Sequence, residues 1–251
     1  MKARRTEWKY LCSEAELSLI EARLRAVLPY DKHANSDGGY AIHSLYFDDH
    51  KDSFSRDNEA GNPMRKKYRL RYYENESSRV TLECKEKQYD MCCKQSSLLT
   101  PFQLDQILQC RWEELFWHTD DPLLKKFALE GFTRRLAPKE IVDYTRIVFV
   151  DDLLHIRITL DRNISVSAQT DKFLTGNYAK LPLLPQHRHI LEVKFDMLLP
   201  GHLRALVTSA DVSRTAFSKY YLGRLRLQAA GQLSTLSMRK EYTNEHIESR
   251  R

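Results

Sequence analysis

The stretch Lys66 to Lys87, KKYRLRYYENESSRVTLECKEK, leaves little freedom in how it folds. Side chains alternate across a β-strand with a period of two. Lys67, Arg69, Arg71 and Tyr73 therefore share one face of a first strand, and Tyr68, Leu70 and Tyr72 take the other. In a second strand Thr81, Glu83, Lys85 and Lys87 oppose Val80, Leu82 and Cys84, with Glu74 to Ser78 as a polar hairpin connection. Each strand turns a charged row to one side and an apolar row to the other. A solvated sheet face is one way to accommodate those charges. A polar surface built for an anion is the other.

Further segments follow the same design. Residues 3 to 12 alternate Arg5, Glu7 and Lys9 against Thr6, Trp8 and Tyr10. Glu140 to Val150 places Tyr144 and Arg146 on one face with Val142 and Val148. Leu153 to Asp161 sets His155, Arg157, Thr159 and Asp161 against Leu154, Ile156, Ile158 and Leu160. His189 to Asp196 sets Ile190, Glu192, Lys194 and Asp196 against Leu191, Val193 and Phe195. Tyr40 to Asp48 is an aromatic and branched strand, and Met91 to Leu99 reads as extended chain. If these strands close into an antiparallel barrel with apolar faces outward, the interior is a polar channel in which cations outnumber carboxylates, and no edge stays unpaired.

Helices cover the apolar faces. Ser13 with Glu16 is a capping box ahead of Leu17, Ile20, Leu24, Val27 and Leu28, and Pro29 stops that helix. A short helical segment spans Ser53 to Glu59. Thr100-Pro101 and Asp121-Pro122 each place a proline at the first helical position, the second helix reaching Gly131. Gly201 to Asp211 and Ser218 to Leu233 are helical, and Trp8, Tyr10, Tyr68 and Tyr72 are core between sheet and helices. The sequence thus predicts an α+β domain over residues 1–233 and a frayed polar tail over 234–251.

The 251 residues carry 40 Lys and Arg against 34 Asp and Glu, and the resulting charge of +6 favours an anionic partner. No run approaches a membrane helix and no apolar stretch follows the basic start, so a cytoplasmic protein is expected. The five cysteines form no CxxC pair and read as reduced thiols, and the nine histidines lack a metal-ligand spacing.

A channel of this kind suits a polyanion whose charges recur along its length, because Arg forks bind phosphate oxygens bidentately and Lys serves as a point charge. Glutamates in such a site repel the ligand unless they hold a hard divalent cation, which bridges phosphate oxygens. Glu83 and Glu7 each read equally as metal ligands or as ion-pair partners of neighbouring bases. Arg146 and Arg157 each have Asp143, Asp151 and Asp161 as alternative partners.

Arg-x-Glu-x-Lys-Tyr at 5 to 10, SLYFD at 44 to 48, Lys-Tyr-Arg-Leu-Arg-Tyr at 67 to 72, Leu-Glu-x-Lys at 82 to 85 and 191 to 194, and Phe-Ser-Lys-Tyr at 217 to 220 follow one another along the chain. In that order they resemble the VTC domain, the polyphosphate polymerase branch of the triphosphate tunnel metalloenzymes. The resemblance implies an eight-stranded antiparallel tunnel that transfers the ATP γ-phosphate to inorganic polyphosphate, stimulated by Mn²⁺ or Mg²⁺, with release of ADP. By position it makes Lys9, Arg69, Arg71, Lys85, Arg146 and Lys219 the phosphate-binding bases. Arg157, Lys194 and Arg214 are further candidate substrate contacts, and Glu192 matches the family's metal-binding glutamate, with Glu83 and Glu7 as candidate metal ligands that read equally as ion-pair partners.

The sequence also departs from its relatives. The related CYTH branch opens with Glu-x-Glu-x-Lys, whereas Arg5 stands here for the first Glu, which shifts the expectation from hydrolase toward polymerase. Ala216 stands where eukaryotic polymerases carry a second Lys, with Arg214 two residues earlier. Neither an inositol-polyphosphate-sensing domain nor coupled translocation is expected. A triphosphate or polyphosphate hydrolase on the same scaffold, and a polyanion-binding module without activity, are the alternatives. Nucleic acid is not an expected partner, because no nucleic-acid motif is recognisable.

Overall fold

The computed structural model of the protein describes residues 5–32, 34–35, 38–74, 78–89, 91–208 and 212–232. Eight strands of eight residues or more form one antiparallel sheet: β1 (Thr6–Ser13), β2 (Gly39–Asp48), β3 (Met64–Tyr73), β4 (Thr81–Gln88), β5 (Met91–Leu98), β6 (Ala137–Asp151), β7 (Ile156–Ser167) and β9 (Arg188–Phe195). Two-residue strands, β8 (Leu181–Pro182) and β10 (Ser213–Arg214), pair with β7 and β1. The order is β10-β1-β9-β7-β6-β2-β3-β4-β5.

The expected eight long strands and their antiparallel pairing are present, but the sheet is not closed by backbone hydrogen bonds. The reason lies at β1. One edge pairs with β9 and the other is taken by β10, followed by Thr215, whose N–H donates to the Lys9 carbonyl at 3.0 Å. β1 therefore has no edge left for β5. The far edge strand is protected in the usual way, by exposed polar residues and a central Lys94.

Among the described residues seven α-helices pack outside or at the mouth of the curled sheet. α1 (Glu14–Arg25) starts at the Ser13–Glu16 capping box, with Ser13 N–H donating to Glu16 Oε2 at 2.6 Å. It buries Leu17, Ile20 and Leu24 against the outer faces of β1, β7 and β9, together with α6 (Gly201–Thr208). Each such side chain contributes on the order of 1.5–3 kcal/mol. α3 (Pro101–Leu108), α4 (Trp112–Trp117) and α5 (Pro122–Arg134) cover the outer faces of β2 to β4, where Phe127 is fully buried among Phe47, Tyr68 and Trp112. Tyr10, Tyr68 and Tyr72 are core as expected, while Trp8 is half-buried against Phe195.

Some boundaries differ from the sequence reading. β7 starts at Ile156 instead of Leu153, because residues 152–155 form the turn after β6. There Leu154 N–H donates to Asp151 Oδ1 and His155 adopts φ 51°. α1 ends at Arg25, short of Pro29, and α4 was not anticipated. The tail beyond 232 and residues 209–211 lie outside the described residues.

α2 (Ser53–Glu59) and α7 (Lys219–Ala229) meet at Asp48, the last residue of β2. Its carboxylate accepts from the N–H groups of Asp49, Phe54 and Ser55 and from the Tyr220 hydroxyl, the last at 2.6 Å. Tyr220 also stacks on Tyr46, ring centroids 5.0 Å apart. This fixes the start of α7 over the sheet interior. Among the described residues no helix is long and apolar enough to cross a membrane, and all five cysteines are free thiols.

Candidate phosphate-binding tunnel

Period-two alternation sends one charged row from each of β1, β3, β4, β7 and β9 to the concave side, where these residues form three linked clusters, while Lys66, Glu86 and Arg162 pair on the outer face. The first lies on β3, β4 and β5. Arg69 donates from Nε to Glu83 Oε2 at 2.7 Å and from Nη1 to the Tyr46 hydroxyl at 2.9 Å. Arg71, almost fully buried, donates to Ser44 Oγ at 3.2 Å and to the Tyr144 hydroxyl at 3.0 Å, and its Nη1 lies 3.6 Å from Glu83. Lys94 reaches Glu83 Oε1 at 2.6 Å. Burial pushes the Glu83 carboxyl up, but Arg69, Arg71 and Lys94 outweigh it and hold it well below the usual carboxylate range. Glu83 is thus the anchor of a guanidinium pair.

The second cluster joins β6, β7 and α7. Arg146 forms a bidentate pair with Asp161, at 2.6 and 2.7 Å, and Lys219 reaches the same carboxylate at 2.6 Å. The Asp161 side chain is 0% exposed. Its burial is overcome by Arg146 and Lys219, which bring its pKa down to about 2. Both cations also sit over the Tyr144 ring, at 5.0 and 4.6 Å from its centroid. Burial raises the Tyr144 phenol, but Arg146, Arg71 and Lys219 reverse the shift and lower it. Of the three aspartates open to Arg146, Asp161 is the partner.

The third cluster lies on β1 and β9. Lys9 Nζ is 2.8 Å from Glu7 and 3.6 Å from Glu192, and it donates to the Phe217 carbonyl at 2.9 Å. Lys194 pairs closely with Glu192 and lies 3.9 Å from Glu7. Burial and the neighbouring Glu192 raise the Glu7 carboxyl, while Lys9, Lys194 and Lys85 hold it below its ordinary range. Glu192 is more deeply buried and is held well below that range by Lys194, Lys9, Arg146 and Lys219. It stands between the second and third clusters.

Not every expected residue joins these clusters. Arg157 pairs with Asp31 at 2.6 Å and not with Asp143, Asp151 or Asp161. Arg214 lies 4.0 Å over the Trp8 ring, on the outer face of β1. Asp143, on the outer face of β6, accepts from His43, Tyr178 and Lys180. Lys94, Tyr46, Tyr144 and Asp161 join these clusters without having been singled out as candidate site residues in the sequence. Lys67 stands two residues before Arg69 on the same strand face and opens the Lys-Tyr-Arg-Leu-Arg-Tyr motif, so alternation and motif both placed it on this surface.

The three glutamates expected to share a metal are divided. Among the described residues no group of three or more His, Cys, Asp or Glu is placed to hold one. Glu7 and Glu192, however, are ionised neighbours sharing Lys9 and Lys194. Such a pair fits a hard divalent cation, which takes one or two protein carboxylates and completes its shell with water and phosphate oxygens.

A family model described as the VTC domain matches residues 4–228. Solved structures that share the fold include two putative cyclases. One is a putative adenylate cyclase from Bacillus halodurans, 12% identical, with 86% of this chain and 95% of that chain covered and a TM-score of 0.52. The other is a putative adenylyl cyclase from Hippeastrum described as having a dominant triphosphatase activity, 13% identical, with 92% and 97% covered and a TM-score of 0.54. No curated protein sequence matches the chain.

Proposed function

This chain belongs to the VTC domain family, of the triphosphate tunnel fold, and we propose on that premise that it is a polyphosphate polymerase, moving the ATP γ-phosphate onto inorganic polyphosphate. The observation that carries the reading is the continuous row of bases from Lys9, Lys85 and Lys194, past Arg69 and Arg71, to Arg146 and Lys219, whose few carboxylates are each shared among several cations. A row of charge along a curled sheet matches a ligand whose charge repeats along its length. A compact monoanion would use one end of it.

Arg69 and Arg71 are held as forks by Tyr46, Ser44, Tyr144 and Glu83, so little ordering remains when they meet phosphate oxygens. Lys219 and Arg146 flank the position where Glu192 meets the second cluster, and Lys9 and Lys194 flank Glu192 from the other side. The terminal phosphoryl group in this arrangement is surrounded by cations on three strands and a helix start. Phosphate is itself the nucleophile, so no Ser, Cys or His is required, and positioning with charge neutralisation carries the reaction. A divalent cation, Mn²⁺ or Mg²⁺, held by Glu192 with Glu7, would neutralise charge on the bridging phosphate oxygens.

Arg5 supports transfer to phosphate over transfer to water. It stands where the CYTH pattern has its first Glu, half-exposed, with Nε 3.6 Å from Asp196. That end of β1 therefore lacks one carboxylate of the hydrolase pattern. The Hippeastrum neighbour makes triphosphate hydrolysis the second reading. Incubation of the folded protein with ATP and Mn²⁺ decides between them. A polymer stained by a polyphosphate dye, formed with ADP, supports the polymerase; orthophosphate without polymer supports the hydrolase; neither product sinks both.

A further inference from the structure

Lys67 stands apart from the other bases of the tunnel. Lys9, Arg69, Arg71, Lys94, Arg146, Lys194 and Lys219 each face a carboxylate, whereas the Lys67 amine donates to the Ser218 hydroxyl at 2.8 Å and, among the described residues, forms no ion pair. Its surroundings are cationic. Lys85 is its cross-strand partner on β4, Lys9 faces it from β1, and Arg65 and Arg69 flank it on β3. From β6 the nearby acid is Glu140, whose carboxyl is fully buried with neither oxygen hydrogen-bonded.

Glu140 gives Lys67 little negative charge. It is enclosed against α7 so closely that a Cβ on Gly223 would lie 2.3 Å from Glu140 Oε1. Burial pushes its carboxyl well above the usual range, against the opposing pull of Arg224 and Lys67. A primary amine in this position, half-buried beside four cations and a fully enclosed acid, is poorly stabilised as an ammonium ion. Burial, Lys85, Lys9, Arg65 and Arg69 together bring Lys67 down to about 7.

A polyphosphate chain running past Lys85 and Arg69 brings negative charge to a base that, among the described residues, has no carboxylate of its own. We propose that Lys67 is a further anion-binding residue of the tunnel, and that filling the tunnel transfers a proton from solvent to its amine. The balance is simple: the Nζ lone pair takes a proton from a buffer acid, leaving the conjugate base, and no other bond changes. The inference rests on the tunnel reading above. It makes anion affinity fall as pH rises above neutrality, because the bound state holds a proton that the free state has lost.

The test is titration calorimetry of the full chain with inorganic tripolyphosphate, without metal, near pH 8, in two buffers of different ionisation enthalpy. Proton release from the ligand is common to all variants, so the comparison of wild type with Lys67→Arg isolates this amine. Wild type should take up about half a proton or more beyond the Arg variant, which is charged throughout. Equal proton counts with binding retained overturn this inference alone. Absence of binding heat in folded wild-type protein overturns the tunnel reading and this inference with it. A measurement on wild type covers the case of a misfolded variant: NMR of isotope-labelled lysines should show one amine titrating near neutrality and moving up by about one unit or more with tripolyphosphate. No such amine, or no movement, overturns the proposal.

Discussion

Glu7 Oε2 and Lys85 Nζ lie 3.7 Å apart although six strand-to-strand steps separate β1 from β4 along the sheet. The sheet therefore curls until its two flanks meet through side chains where they do not meet through backbone. Lys67 crosses the same gap to Ser218. These contacts are polar and partly exposed, so they locate the flanks without locking them.

From that geometry, Glu7→Gln should change stability little. Lys85 is half-exposed, and a pair of this kind contributes about 0.2–1 kcal/mol. Thermal unfolding should stay within about 4 °C of wild type. If Glu7 helps Glu192 hold the cation, the same variant should need several-fold more Mn²⁺ for half-maximal activity. An unchanged metal requirement would assign Glu7 to ion pairing only.

Asp161 makes the opposite case. It is fully enclosed and neutralises both Arg146 and Lys219, so Asp161→Asn strands two buried cations and should destabilise the protein by about 3–5 kcal/mol, read from the urea midpoint. Its pKa lies near 2 in the folded protein against an ordinary 3.8. A depressed carboxylate pKa contributes stability that is present above the unfolded value and lost as pH falls through the folded one. The contribution is on the order of 2 kcal/mol. Wild-type stability should accordingly fall between about pH 4 and pH 2, and the part of that fall owed to Asp161 should be missing in the variant.

What the sequence disclosed follows from which forces are local. The Ser13–Glu16 capping box and the Thr100-Pro101 and Asp121-Pro122 starts are short-range signals, and all three open helices where expected. The alternating faces of β1, β3, β4 and β9 were readable because one side of each strand must pack and the other must bear charge. α4 was not readable: six residues make fewer than two turns, and its N-cap residue, Arg111, supplies no side-chain bond. Closure of the barrel failed as an expectation because the competitor for the β1 edge is a two-residue strand more than 200 positions away in the chain.

Within the tunnel, residue type and face were legible but partners were not. Glu83 could be read as a metal ligand or as an ion-pair partner, and the structure gives it Arg69, Arg71 and Lys94. Lys94 comes from β5, whose sequence MCCKQSSL shows no charged alternation. Arg157 found Asp31, outside every strand considered for it. Pairing of this kind depends on curvature, which one sequence does not display.

The Arg71 fork offers a test of preorganisation. Arg71→Lys keeps the charge but cannot satisfy Ser44, Tyr144 and Glu83 at once from a single amine. Leaving a buried partner unsatisfied costs about 1–3 kcal/mol. The variant should be less stable by that order and should bind tripolyphosphate more weakly than wild type. Arg71→Lys with unchanged affinity would make the fork structural and place the ligand elsewhere.

Glu192 separates the enzyme from a passive polyanion binder. Its carboxylate is buried and ionised, touches Lys9 and Lys194, and lies within the field of Arg146 and Lys219. Glu192→Gln removes one negative charge from a site that must accept several, so binding of tripolyphosphate should persist or tighten and remain salt-sensitive. On the proposed reading, turnover of ATP should fall by on the order of 10² or more, because the carboxylate that would hold the cation beside the reacting phosphates is gone. Chelation of the metal from wild type should reproduce the same split, binding kept and turnover lost. Turnover that survives both treatments would remove Glu192 from the chemistry, and the row of bases would then have to account for catalysis without it.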